Sequence, residues 1–237
     1  NIYARKKKEE NPIYNYFMLG LLAKIVGGLG LAFVYTIYYP GGDTTEYFRN
    51  VIAVQRLAII DFDSFWHVMT EPPTNSHIYY FNNETGYAVY SRDPKAWAVV
   101  KLAFFIVAAS LQSFLVTTVL CATISFAGIW RLFKVFATEF PDLKKEMAIS
   151  FLFIPSVFFW GSGLLKDTFT LSALGFFFSS LYNILVRKEK VFGSIIVLFI
   201  AGYVITAIKP YILVGLFPAM ILWLVQLNVG KINAKTL

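Results

Sequence analysis

LAFFIVAASLQSFLVTTVLCATISFAGIW, residues 102–130, carries no charged side chain. A helix needs roughly 20 mostly apolar residues to cross the hydrocarbon of a bilayer, and core helices of soluble domains rarely show such long uncharged runs. The run therefore predicts a membrane-spanning helix over 102–130. Five further stretches share its character: 15–39, 148–165, 169–186, 191–208 and 211–229. The expected fold class is all-α, a single polytopic membrane helix bundle of about six transmembrane helices over 1–237. Composition agrees: 57% of residues are hydrophobic, 18% aromatic and only 15% charged, with a mean hydropathy of +0.61. A soluble domain carries about 25% charged residues, so this chain has too little charge to cover a surface in water. The first apolar stretch is too long for a cleavable signal peptide and lacks a small-residue cleavage pattern.

Lys and Arg set orientation, because loops on the cytoplasmic side carry their excess. With the N-terminus inside, Arg5, Lys6, Lys7, Lys8, Arg131, Lys134, Lys144, Lys145, Arg187, Lys188, Lys190, Lys231 and Lys235 face inward. Arg49, Arg56, Arg92, Lys95, Lys101, Lys166 and Lys209 face outward. The bias predicts both termini in the cytoplasm. It also explains the net charge of +7 without nucleic acid as a partner. The single cysteine, Cys121, excludes an intrachain disulfide and a multi-cysteine metal site.

The long connection, 40–99, is then an outer loop. Pro40, Gly41 and Gly42 end the first helix. From Arg49 to Met69 the apolar residues recur at helical spacing. This pattern predicts an amphipathic helix lying on the membrane interface, or an ordinary surface helix packed on the spans. Residues 71–95, rich in Pro, Asn, Ser and Tyr, read as a polar cap. Asn83-Glu84-Thr85 matches a glycosylation sequon, which matters only in a eukaryotic secretory pathway. His67 and His77 have no supporting ligand spacing.

Charge inside or at the edge of a membrane is costly, so such residues are candidates for function. Asp43 and Glu46 stand just after the first span. A carboxylate there could serve as a general base; equally, Asp43 or Thr44 with Glu46 could form a capping box for the next helix. Lys166 and Asp167 follow Gly161-Ser162-Gly163 in a tight outer turn. Lys166 could hold a phosphate as a compact cation, or the pair could simply mark the end of a span by snorkelling. Lys209-Pro210-Tyr211 forms a second short outer turn, where positive charge runs against the inside bias. Asp43, Lys166 and Lys209 thus emerge at one depth, which suits a phosphate-bearing lipid. Lys24 lies inside the first span and is expected to snorkel inward.

The segments GGDTTEYF (41–48), LFIPSVFFWGSGLLKDTF (152–169) and IKPYIL (208–213) bring a family into view. The first resembles the acidic first outer loop of GT-C type glycosyltransferases. The second and third are similar to segments of bacterial EpsG-type exopolysaccharide polymerases. The chain departs from that group in its smaller number of spans and in the separation of Asp43 from Glu46. The resemblance implies sugar transfer from a polyprenyl-phosphate-linked carrier to a saccharide acceptor, with the site facing away from the cytoplasm of a bacterial inner membrane. It makes Asp43 and Glu46 the candidate catalytic residues, and Lys166, Asp167, Lys209 and Tyr211 the candidate substrate-binding ones. It implies no cofactor; a divalent metal would have only one or two loop carboxylates to hold it. Membrane lipid and other membrane proteins are the expected surroundings. A non-catalytic subunit of an envelope assembly or secretion complex, or a transporter of lipid-linked sugars, are the alternatives. Transporters favour internal repeats and charged or broken helices at mid-membrane, and no repeat is evident.

Overall fold

The computed structural model of the chain describes residues 12–39 and 41–233. Pro40 and the basic residues Arg5, Lys6, Lys7, Lys8 and Lys235 lie outside the described residues. Within these bounds all regular structure is helical. The helices are α1 (Asn15–Phe33), α2 (Asp43–Ile60), α3 (Phe62–Thr70), α4 (Pro94–Ala109), α5 (Phe114–Glu139), α6 (Lys144–Ala148), α7 (Lys166–Tyr182), α8 (Val191–Ile208) and α9 (Tyr211–Asn233). Wider helical turns extend α1 over Val34–Tyr38, α6 over Ile149–Phe153 and α7 over Asn183–Arg187, and a separate one covers Ser156–Trp160.

Four of these rods are long and apolar enough to cross a membrane: Pro12–Tyr38, Phe114–Glu139, Lys166–Arg187 and Val191–Ile208. Tyr211–Trp223 is a shorter apolar helix. The α7 rod sits between α5 and α8, and α1 packs on the other side of α5. A Cβ on Gly175 would come within 2.1 Å of the Gly128 carbonyl oxygen. The two glycines therefore bring α5 and α7 into backbone contact. Near the first residues of α1, Ile13, Phe126, Trp130 and Phe133 form a tight aromatic core, with Phe17 edge-on to Trp130 at 5.0 Å.

Two expected spans differ from what forms. Residues 102–130 are not one helix. The backbone turns at Leu111 (φ 53°) and Gln112 (φ 58°), separating α4 from α5. The uncharged polar residues Ser110, Gln112 and Ser113 supply the turn's side-chain bonds. Ser110 Oγ lies 2.7 Å from Thr117 Oγ1, and Gln112 Nε2 donates to Gln55 Oε1 at 3.0 Å. Residues 148–165 are not one helix either. Pro155 has no N–H and disfavours helix in the residue before it, and Ile154 is extended (φ −66°, ψ 127°).

Residues 43–109 are less a loop than a second packed layer. Tyr47, Val51, Val54 and Leu57 of α2 are buried with Trp97, Val100 and Ala103 of α4. Trp97 is fully buried, and its Nε1 donates to the Val68 carbonyl at 2.8 Å. Full burial of one large apolar side chain contributes roughly 1.5–3 kcal/mol, so this cluster amounts to a core of its own. The expected amphipathic helix bends at Asp61, whose carboxylate accepts from the Ser64 amide (3.1 Å) and hydroxyl (2.6 Å) and so starts α3. Ile59, Ile60, Phe62 and Trp66 leave an exposed apolar edge along α2 and α3.

Candidate functional site

Gly42 opens the site. Its φ of 155° lies in a region that favours glycine, and a Cβ there would meet the Tyr35 ring at 2.3 Å. The chain can therefore turn from the end of α1 directly into α2. The capping arrangement differs from the expected one. Thr45 Oγ1 accepts from the Gly42 amide (3.0 Å) and donates to the Gly42 carbonyl (2.8 Å). Asp43 is thus freed from capping, and Glu46 is drawn to Arg49 at 2.6 Å.

Asp43 Oδ1 accepts from the Tyr90 hydroxyl at 3.0 Å. Tyr90 comes from the cap and is held by Asn50, which is fully buried. Asn50 Oδ1 accepts from the Tyr90 amide at 2.8 Å, while its Nδ2 donates to the Glu46 carbonyl at 2.7 Å. The Tyr90 ring lies against Tyr47, centroids 4.7 Å apart. Three residues beyond Tyr90, Asp93 caps α4 by accepting from the Lys95 amide at 2.9 Å. Its other oxygen accepts from Lys166 Nζ at 3.3 Å. Asp167 pairs with Lys209 at 2.5 Å, and Tyr211 stands exposed beside Lys209.

Four elements thus meet around Tyr47 and Tyr90, the start of α2, the 89–92 turn and the starts of α4 and α7, and the α8–α9 junction joins them through the Lys209–Asp167 pair. Burial, then Tyr90 and the carboxylates of Asp43, Asp93 and Asp167, hold the Tyr47 hydroxyl well above its ordinary range. Burial and the Asp43 hydrogen bond do the same for Tyr90. Both phenols are therefore neutral donors. Burial alone would lower Lys209, but the Asp167 carboxylate more than offsets it, and the ammonium is held above its usual value. Burial pushes Asp93 up, while the amides of Ala96 and Lys95 and the Lys166 ammonium pull it below the usual carboxylate range. Two buried hydroxyls at this end, Thr44 Oγ1 and Ser91 Oγ, have no hydrogen-bond partner.

The structure therefore gathers Asp43, Lys166, Asp167 and Lys209 at one end of the bundle. It adds Tyr47, Tyr90 and Asp93, which the sequence reading did not single out. Asp93-Pro94 before an apolar run is a helix-start signature, and it was the one available signal. The lysines are each matched crosswise, Lys166 to Asp93 and Lys209 to Asp167. Asp43 is the carboxylate of the group that belongs to no ion pair.

Lys24 does not snorkel. It is 1% exposed, and its Nζ donates to Ser125 Oγ (2.8 Å), the Val157 carbonyl (3.0 Å) and the Gly161 carbonyl (2.7 Å). Pro155 breaks the helix just before the Ser156–Trp160 turn, and Lys24 serves one carbonyl near the start of that turn, Val157, and one just past its end, Gly161. Gly27 allows the contact, since a Cβ there would fall 2.0 Å from the Phe158 carbonyl oxygen. Among the described residues, no group of three or more His, Cys, Asp or Glu is placed to hold a metal ion. No protein-family model, curated protein or solved structure matches the chain.

Proposed function

We propose that the chain is a membrane glycosyltransferase that takes a sugar from a polyprenyl-phosphate carrier at the Asp43 end of the bundle. The observation that carries the reading is the Asp43 carboxylate, which accepts from the Tyr90 hydroxyl and, among the described residues, joins no ion pair, at the same end of the bundle as the Lys166–Asp93 and Lys209–Asp167 pairs. In this reading Asp43 takes the proton of an acceptor saccharide hydroxyl. The freed oxygen attacks the anomeric carbon, and the bond from that carbon to the carrier phosphate breaks. The phosphate leaves with the electron pair and is met by Lys166 and Lys209, fixed cations that stabilise developing charge. Attack opposite the leaving phosphate inverts the anomeric centre. On this reading the site faces away from the cytoplasm with both termini inside, which the Lys and Arg bias supports, and the membrane is a bacterial inner membrane, as the family resemblance implies.

The test is Asp43→Asn in purified protein reconstituted with polyprenyl-phosphate-linked hexoses and a saccharide acceptor. Transfer should fall by at least about a hundredfold, the lower end of what a general base supplies, with folding unchanged. Transfer at the unsubstituted rate would remove Asp43 from the chemistry.

A second reading has one observation in its favour: both lysines already have an aspartate partner. On that reading the cluster is a structural clasp in a non-catalytic membrane subunit.

A further inference from the structure

Where α4 crosses α8, a cavity of about 540 Å³ opens between the 69–73 turn and the two helices. Met69, Pro72, Trp97, Lys101, Phe105 and Tyr203 are among its lining residues. Its charged members are Lys101 and Glu71. The Glu71 carboxylate is engaged by His67 Nδ1 at 2.7 Å. Lys101 Nζ reaches only the Glu71 backbone carbonyl, at 3.2 Å, the long end of the normal range.

Lys101 differs in this from Lys166 and Lys209, each of which faces an aspartate. Among the described residues no carboxylate pairs with it. An ammonium has three donors, and one long bond to a carbonyl leaves most of that capacity unused in a half-buried place. Apart from Thr70 and the Tyr203 hydroxyl, the remaining lining side chains are apolar. Phe105 and Tyr203 stand at the rim, each 72% exposed, and Tyr203 belongs to a helix apolar enough to cross a membrane. A cation recessed behind an aromatic rim on a lipid-facing helix has the polarity of an amphiphile with an anionic head.

The geometry points to a groove that seats a phosphate-bearing membrane lipid, with its phosphate on Lys101 Nζ and its chain along Phe105 and Tyr203. The site needs neither Asp43 nor sugar transfer. It goes beyond the proposed activity and stands or falls separately from it.

The experiment uses the full chain in neutral detergent, with phosphatidylglycerol as the probe and native mass spectrometry and thermal unfolding as readouts. Phosphatidylglycerol should be retained by the protein and raise its unfolding temperature. Lys101→Met should bind it roughly tenfold more weakly, the change expected for losing one charge-assisted hydrogen bond. Lys101→Arg should keep it. Ala98→Trp fills the groove while leaving Lys101 in place, and should lose it too. Asp43→Asn should bind as the unsubstituted chain does. If Lys101→Met and Ala98→Trp both retain full affinity, the groove is not the site. If inorganic phosphate at equal concentration protects as well as the lipid, Lys101 takes a free anion and the lipid assignment is overturned. Should Lys101→Met fail to fold, Ala98→Trp decides alone, and retained affinity there overturns the proposal.

Discussion

Lys24 makes three hydrogen bonds to neutral oxygens and none to a carboxylate. Its amine does for the Val157 and Gly161 carbonyls what the missing continuation of a helix would have done. Lys24→Met keeps most of the volume and removes every donor. Each buried acceptor left without a donor costs about 1–3 kcal/mol, and for a chain of this size each kcal/mol lowers the unfolding temperature by roughly 2–4 °C. The variant should therefore unfold several degrees lower in detergent; an unchanged midpoint would show that water or a neighbouring group replaces the amine. The sequence reading placed this lysine at the inner interface because one sequence shows only its distance from a helix end. Its partner carbonyl at Gly161 is 137 residues away. Tyr90 and Asp43, 47 residues apart, were hidden for the same reason. Asp43, Lys166, Asp167 and Lys209 were legible because each is a charge at the edge of an apolar run, next to Gly-Gly, Gly-Ser-Gly or Lys-Pro punctuation.

Among the elements, the α4–α5 corner separates what hydropathy can see from what it cannot. Ser110, Gln112 and Ser113 are uncharged, so a window of mean hydropathy runs through them and reports one span. The corner is set by side-chain bonds to Thr117 and to Gln55; Gln55 lies outside any such window, and mean hydropathy does not register a hydrogen bond to Thr117 within it. Leu111 takes a left-handed conformation there and is 91% exposed, so its side chain gains little from packing while the backbone is strained. Leu111→Gly should leave the unfolding temperature unchanged or raise it, since glycine reaches that conformation freely. A continuous 102–130 helix would instead lose about 1 kcal/mol on the same substitution, and a fall in the midpoint would speak for that arrangement. The Pro155 break was legible in principle, because proline removes a helical donor. The apolar run around it outweighed that signal.

On the scale of the molecule there are two bodies, the α1, α5, α7 and α8 bundle and the α2–α4 layer; one ion pair joins their ends and a second ties two helices of the bundle. Lys166 on α7 holds Asp93 at the start of α4, and Asp167 on α7 holds Lys209 at the end of α8. The double swap Asp167→Lys with Lys209→Asp keeps attraction and exchanges places. Stability should fall in either single variant and return in the double. Transfer activity should stay lost in the double if Lys209 meets a phosphate from its own position. Restored transfer in the double would mean the pair acts only as a clasp. The helical character and the long apolar rods of the bundle could be read from the sequence, but the division into two bodies could not, because α2 and α4 look from sequence like loop and span.

The layer and the bundle take their depth from different features. In a bilayer the bundle would be placed by the length of its apolar rods, and the layer by the exposed edge of Ile59, Ile60, Phe62 and Trp66, if that edge rests on the interface. A bilayer thicker or thinner than the rods moves the two by unequal amounts. The contact between Lys166 and Asp93, at 3.3 Å the longer of the two pairs, spans that seam. Membrane elasticity would then be an input to the carboxylate cluster: in bilayers of different acyl length the Lys166–Asp93 pair, and with it the Tyr90–Asp43 hydrogen bond three residues away, should be held to different degrees.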